Sequence, residues 1–161
     1  MNVLERKTQF SPNRQYRYTL WREWDMMNPG YAMFIGLNPS TADEVQDDPT
    51  IRRCINFAKR WNLGALCMTN IFGFRATNPK VMFAADEPIG PENDMWIYEC
   101  AMNAQIVVAA WGNLGALKDR ADSVLNLLRH FNLKCLGITL LGHPKHPLYV
   151  RSDTTPISFK R

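Results

Sequence analysis

The chain has 161 residues, of which 46% are hydrophobic and 21% charged, and 19 basic against 15 acidic residues give a formal net charge of +4. This length and balance predict one globular domain spanning residues 1–161. No apolar run reaches the roughly 18 residues that a membrane span needs, and residues 1–10 lack the apolar core of a signal peptide, so we expect no membrane partner and a cytoplasmic location. The positive charge is compatible with nucleic acid or a phosphorylated ligand and selects neither.

The first predicted elements are a short strand, a buried strand and a helix. Residues 17–21 are aromatic and β-branched, which favours an N-terminal edge strand or hairpin. Residues 31–37 form a continuous apolar run, typical of a strand covered on both faces. Asp48 and Pro49 then predict a helix N-terminus, and apolar residues at helical spacing extend this amphipathic helix to about Asn62.

The rest of the chain repeats this alternation. Residues 65–72, 105–111 and 133–140 predict three further core strands, separated by helices over 91–104 and 114–131. Strands alternating with helices of this length predict a three-layer α/β/α fold around a mostly parallel, four-stranded central sheet. Because ligands bind at the carboxyl ends of parallel strands, we expect the polar links that follow these strands to converge on one crevice.

Signatures of several common functions are absent from the sequence. There is no G-x-G-x-x-G, Walker or G-x-S-x-G motif, which removes the main support for dinucleotide-binding, P-loop and serine-hydrolase functions. The four cysteines are widely separated without a C-x-x-C pair, so we expect buried thiols. His143 and His146 lack the paired ligands of a zinc site. We therefore expect no metal and no cofactor.

The link after the first core strand contains the first candidate residues. Pro39 fixes its own backbone and favours an extended Asn38, whose amide could orient a water or a ligand carbonyl; an ordinary Asn-Pro turn is the alternative. Asp43 and Asp47, in the acidic cluster that follows, are candidates for a general base or for Mg²⁺ ligation. Solvated loop acids are the alternative for both.

Two later links carry further candidates. Asn70 lies late in an otherwise apolar strand, where its amide needs a hydrogen-bond partner. That amide offers a donor beside an acceptor, the pattern of a nucleobase edge, although a structural hydrogen bond would also explain it. Arg75 could contact a phosphate or lie on the surface. His143 and His146 follow the last strand, where an imidazole could stabilise a developing anion.

Five blocks of the sequence together resemble an uncharacterised bacterial and phage family: NPSTAD, DDPTIRRC, TNIFGFRATNPK, VVAAWG and HPKHPLY. The likeness covers residues 16–150, and the family is similar to a remote branch of the uracil-DNA glycosylase superfamily. The resemblance implies a uracil-DNA glycosylase-like fold, DNA or a nucleotide as partner, and hydrolysis of the N-glycosidic bond of a flipped base. The phage setting implies a modified base rather than plain uracil.

The resemblance also implies roles for individual residues. Asn38, in Gly-Leu-Asn-Pro, matches the asparagine that positions the attacking water, and Asn70 matches the asparagine that pairs with the base. HPKHPL resembles a His-Pro-x-Pro-Leu loop, in which His143 or His146 would support the leaving base. In that loop Leu148 would enter the duplex.

The sequence departs from the superfamily pattern in several places. The link after the first core strand lacks the aromatic residue that usually stacks on the base, and Phe72 or Phe74 could substitute for it. Tyr149 follows the leucine where a serine is usual. Cys100 matches one cluster cysteine of the thermophile-type branch, as Arg75 matches its arginine, but the N-terminal cysteine pair is missing. We therefore expect no iron–sulfur cluster.

Two other functions stay open. The first is an enzyme or binder acting on free nucleotides or nucleosides, and the second is a non-catalytic nucleic-acid-binding module that uses the basic face of the first helix. A solvated helix face would explain those charges equally well. The candidate catalytic residues are Asn38, His143, His146, Asp43 and Asp47; the candidate base- or substrate-binding residues are Pro39, Ser40, Asn70, Phe72, Phe74 and Arg75; and the candidate nucleic-acid backbone contacts are Arg52, Arg53, Leu148 and Tyr149.

Overall fold

The computed structural model describes residues 5–160, and within them the secondary structure alternates as the sequence predicts. The predicted domain, residues 1–161, also includes residues 1–4 and 161, which lie outside the described residues. The strands are β1 (Glu5–Phe10), β2 (Arg17–Glu23), β3 (Tyr31–Gly36), β4 (Ala65–Asn70), β5 (Ile106–Ala109), β6 (Leu133–Cys135) and β7 (Ile157–Ser158). The helices are α1 (Pro49–Arg60), α2 (Pro79–Ala84), α3 (Asn93–Met102) and α4 (Arg120–Leu127), with 3₁₀ segments at Asn113–Asp119 and Pro147–Tyr149.

The sheet is mixed and has seven strands within the described range, in the order β1-β2-β4-β3-β5-β6-β7. The four predicted core strands are present, and β4, β3, β5 and β6 run parallel to one another. β1, β2 and β7 add antiparallel pairings at the two sides. The prediction of a mostly parallel, four-stranded sheet is therefore wrong. Strands β1 and β7 are largely exposed and join the sheet by backbone pairing, which needs no apolar run in the sequence.

Side chains of the central strands alternate between two hydrophobic cores. Along β3, Met33 and Ile35 enter one core, whereas Ala32 and Phe34 enter the other. Helices α3 and α4 pack on the first core and α1 on the second, so helices cover both faces of the sheet. A uracil-DNA glycosylase-like variant of this α/β architecture stays a prediction.

Two helices show how well the sequence predicts boundaries. Helix α1 begins where predicted, since the Asp48 carboxylate accepts a hydrogen bond from the Ile51 amide at 2.8 Å. The predicted helix over 114–131 is interrupted instead. Lys118 and Asp119 adopt left-handed conformations, with φ of 58° and 55°, and separate a 3₁₀ segment from α4. Apolar periodicity continues through this break and hides it.

The four cysteines are buried and form no disulfide, as predicted. Burial raises the pKa of the Cys54, Cys67 and Cys135 thiols, which keeps these side chains uncharged at neutral pH. They therefore act as small apolar residues of the core.

Candidate functional site

A cleft of about 780 Å³ opens at the carboxyl edge of the parallel strands. The links that follow β3, β4, β5 and β6 all contribute to its lining, as expected for a sheet whose parallel strands end at one edge. Its polar and aromatic lining residues are Arg17, Asn38, Ser40, Asp48, Thr50, Asn70, Thr77, Trp111, Asn113, Thr139, Lys145, His146 and Tyr149.

Asn70, the last residue of β4, lines the cleft although its side chain is almost fully buried, with 2% exposure. Its Nδ2 has no hydrogen-bond partner within the described residues. A buried donor left unmatched costs about 1–3 kcal/mol. The amide therefore offers the cleft a hydrogen-bond donor that no other part of the described chain uses.

Two side chains hold the backbone around Asn70. Asn93, at the start of α3, donates from Nδ2 to the Asn70 carbonyl at 2.8 Å, and Arg120, at the start of α4, donates from Nε to the Ile71 carbonyl at 2.6 Å. On the adjacent strand, a Cβ at Gly36 would lie 2.7 Å from Asn70 Oδ1, so glycine provides the space for the amide. These contacts fix the backbone at the end of β4, from which the Asn70 side chain reaches the cleft.

Asn38 also lines the cleft, but its amide nitrogen serves the fold. Nδ2 donates to the Ala76 carbonyl at 2.8 Å and to the Pro39 carbonyl at 3.2 Å. These bonds join the link after β3 to the link after β4. The side-chain oxygen of Asn38, Oδ1, is then the group of this amide that is available to a water or ligand. Pro39 and Ser40 lie beside Asn38 in the lining.

The two candidate histidines have different environments. His146 lines the cleft half-buried, and its Nδ1 accepts a hydrogen bond from the Leu148 amide at 3.1 Å. Burial lowers the pKa of His146, and the Asp48 carboxylate partly opposes this shift, so the ring is neutral at neutral pH with its proton on Nε2. His143 is 4% exposed and lies outside the lining, in a turn where its amide donates to Thr139 Oγ1 at 3.1 Å.

The side chains of Asp43 and Asp47, between β3 and α1, bond within the fold and do not line the cleft. The Asp47 carboxylate accepts hydrogen bonds from Arg22 Nε at 2.8 Å and from Arg6 Nη1 at 3.1 Å. Arg22, which is fully buried, also donates to the carbonyls of Asp43 and Gln46. The Asp43 carboxylate accepts hydrogen bonds from the backbone amides of Gln46 and Val45, which lower its pKa. The structure thus accounts for both acids without a ligand.

Asp48, Arg17 and Trp111 are among the lining residues that were not predicted as site residues. Asp48, interpreted from sequence as a helix cap alone, is the one carboxylate in the lining as far as residues 5–160 describe it. Arg17 and Trp111 are each 2% exposed, and Arg17 Nε and Trp111 Nε1 have no partner in the described part of the chain. In the sequence, Arg17 is a charged residue at the start of an apolar strand. Its place at the cleft follows only from the antiparallel pairing of β2 with β4, which the sequence does not reveal.

The predicted stacking aromatics and the predicted phosphate-binding arginine lie outside the cleft lining. Phe72 is fully buried in the core and Phe74 packs against it, each ring meeting another aromatic ring edge-on. The Arg75 guanidinium lies 4.7 Å from the centroid of the Phe10 ring.

The predicted nucleic-acid contacts fall into two separate groups. Arg52 and Arg53 border a shallow depression on the outer side of α1, away from the cleft. Leu148 and Tyr149 line the cleft itself, with 39% and 81% exposure. A ligand in the cleft would meet the second pair and not the first.

The described residues contain no group of three or more His, Cys, Asp or Glu side chains placed to hold a metal ion. Between residues 5 and 160, no helix combines the length and the apolar character needed to cross a membrane. The lining of the cleft presents amides, a carboxylate, an imidazole and cations.

Comparison with known proteins identifies a family. Residues 17–148 match the model of a family described as protein of unknown function (DUF1643). No curated protein and no solved structure matches the chain. None of these comparisons links the chain to the uracil-DNA glycosylase superfamily.

The assignment of Asp47 to the fold predicts the effect of its substitution. Asp47→Asn should lower the free energy of unfolding by about 3 kcal/mol, because removing one partner of a buried ion pair leaves the other charge unpaired. Glu44→Gln is the matched control in the same loop, since its exposed ion pair with Arg14 should contribute little. Urea denaturation followed by circular dichroism measures both. Equal stability of the two variants would contradict the structural role of Asp47.

Proposed function

The chain belongs to the DUF1643 family of proteins of unknown function, and we propose that it hydrolyses the N-glycosidic bond of a nucleotide, as a DNA glycosylase does. The observation that carries this proposal is the buried Asn70 amide in the cleft, whose Nδ2 has no partner within the described residues. An amide pairs with the donor and acceptor that a nucleobase edge presents. The resemblance to uracil-DNA glycosylases supports the same role for Asn70, with a base flipped out of DNA and carrying a modification as the substrate.

His146 stabilises the departing base. When the C1′–N bond breaks, its electron pair passes to the base, which becomes anionic. The neutral His146 ring keeps its Nδ1 on the Leu148 amide and presents its Nε2–H as a donor to this charge. A fixed, half-buried donor of this kind stabilises a developing anion more strongly than water does, because it does not reorient during the reaction.

Asn38 and Asp48 activate the water. One Asp48 oxygen caps α1, and the other is available to accept a proton from water. The side-chain Oδ1 of Asn38 accepts a hydrogen bond from this water and sets its position. The water oxygen bonds to C1′ and one of its protons passes to the Asp48 carboxylate. That proton then passes through solvent to the anionic base, which leaves neutral, and Asp48 is ionised again. The same carboxylate stabilises the positive charge that develops on the sugar.

The same reaction on a free nucleotide is the second candidate. The cleft volume of about 780 Å³ suits a single small molecule, so it can hold one nucleotide without a duplex groove. A non-catalytic nucleic-acid-binding role for Arg52 and Arg53 would leave the cleft unused. The experiment below separates the three functions.

We expect base release from at least one member of a substrate panel. The panel contains single- and double-stranded oligonucleotides with uracil, mismatched or hypermodified bases, together with free nucleosides and nucleotides, and the measurements are abasic-site cleavage and chromatography of free base. Asp48→Asn should lower kcat by about 100-fold or more, because it removes the general base while asparagine still caps the helix. Asn70→Ala and His146→Ala should also lower the rate.

Asp43→Asn is the matched control, because Asp43 lies in the same loop as Asp48 but outside the cleft lining. It should keep the wild-type rate. Failure of the whole panel to release base, with intact DNA binding, would exclude the enzyme and favour the binding module.

The pH dependence of the rate follows from the state of His146. Because its pKa lies below the ordinary value of about 6.5, the neutral donor predominates at pH 6.5 and above. Protonation at lower pH adds a second ring proton at Nδ1, which opposes the Leu148 amide and displaces the ring. The rate should therefore be constant through neutral pH and fall below it. His146→Gln, which keeps an amide donor, should lose this dependence, and an unchanged acid limb in this variant would contradict the role of His146.

A further inference from the structure

Three arginine side chains are almost fully buried within the described residues, and they differ in their counter-ions. Arg22 pairs with Asp47 at 2.8 Å, and Arg120 pairs with Asp94 at 2.5 Å. Arg17, which is 2% exposed, has no carboxylate within ion-pair distance in residues 5–160. A buried guanidinium stays charged and is unfavourable without a paired anion. The unmatched charge of Arg17 is therefore the exception that needs an explanation.

Arg17 lines the cleft from the end of a strand. It is the first residue of β2, and because β2 runs antiparallel to β4, this end of the strand stands at the carboxyl edge and lines the cleft. Its Nη1 donates to the Ala42 carbonyl at 2.9 Å, whereas its Nε has no partner in the described chain. The Nε–Nη2 edge of the guanidinium, the edge that receives two oxygens side by side, is thus the unused one.

The charge balance of the cleft favours an anion. Arg17 and Lys145 bring two cations to the lining against the single carboxylate of Asp48 found among the described lining residues. Burial lowers the pKa of Arg17 to about 10, an effect that Asp48 partly opposes, so the guanidinium is still protonated at neutral pH. His146 is neutral there, which leaves a net positive cleft.

We propose that Arg17 binds a phosphate group of the substrate, so that the cleft holds the base at Asn70 and the phosphate at Arg17. The planar guanidinium edge matches two phosphate oxygens, and Lys145 adds a second positive charge. The identity of the ligand as a nucleotide rests on the proposed function, whereas the anion site rests on Arg17. The phosphate is either the terminal group of a free nucleotide or a backbone group beside a flipped nucleotide.

Phosphate binding is measured first without any base. Isothermal titration calorimetry and thermal unfolding of the full chain with inorganic phosphate should show binding that Arg17→Gln weakens by about 10-fold or more, as expected for a lost charge-assisted pair. Arg60→Gln is the matched control: it removes the same charge from α1 outside the cleft and should leave binding unchanged. Arg17→Lys keeps the positive charge but lacks the two parallel N–H donors of the guanidinium, so its phosphate affinity should be intermediate.

A second arm distinguishes the two sources of phosphate. The four deoxynucleoside 5′-monophosphates are compared with their nucleosides and with short single-stranded oligonucleotides. An Arg17-dependent preference for a monophosphate over its nucleoside assigns the site to free nucleotides. The same dependence in the oligonucleotides alone assigns it to a backbone phosphate.

The outcomes separate this inference from the proposed function. Because Arg17 is buried, circular dichroism must first show that Arg17→Gln folds. If this variant does not fold, the phosphate titrations of the wild type and of Arg17→Lys test the inference instead. Absence of phosphate binding by the wild type in every arm, or equal binding by a folded Arg17→Gln, overturns the inference. Arg17-dependent phosphate binding without base release from any substrate leaves the anion site standing and refutes the glycosidase.

Discussion

The burial of Arg22 is the constraint on which the geometry of the site depends. A guanidinium withdrawn from water needs a carboxylate and further acceptors, and Arg22 finds them in Asp47 and in two carbonyls of the loop between β3 and α1. Arg17, on the same strand, holds a third carbonyl of that loop. The loop is thereby fastened to β2, which sets Asn38 at its start and Asp48 at its end on the cleft.

The cleft combines rigid support with unmatched polar groups. Arg120 and Asn93 fasten the end of β4, because their side-chain donors bind the backbone carbonyls of Asn70 and Ile71, and Arg120 also pairs with Asp94. Asn70 and Arg17, by contrast, keep buried donors without partners at the cleft. Unmatched buried donors lower the stability of a fold, so two of them beside one cleft favour a ligand that would satisfy them.

Local chemistry made part of this structure predictable. The Asp48-Pro49 cap marked the start of α1, and continuous apolar runs marked the four parallel strands, because both depend on neighbouring residues alone. Beside these four strands the sequence predicted only an N-terminal edge strand or hairpin. The extent of β1 and the pairing of β7 could not be predicted, because these outer strands pair through the backbone and leave their side chains exposed. The break at Lys118 escaped prediction because it lies within a continuing apolar period.

For the site, the sequence by itself determined that polar links follow each parallel strand, and hence that residues such as Asn38, Asn70 and His146 stand near one edge. Their chemical roles stay predictions. Only the tertiary structure decided which side chains face the cleft: it placed Asp43, Asp47 and Arg75 in contacts of the fold and brought Arg17 to the cleft from a distant strand. The reason is physical, since a link's position follows from strand order along the chain, whereas the counter-ion of a buried charge depends on which distant segments pack against it.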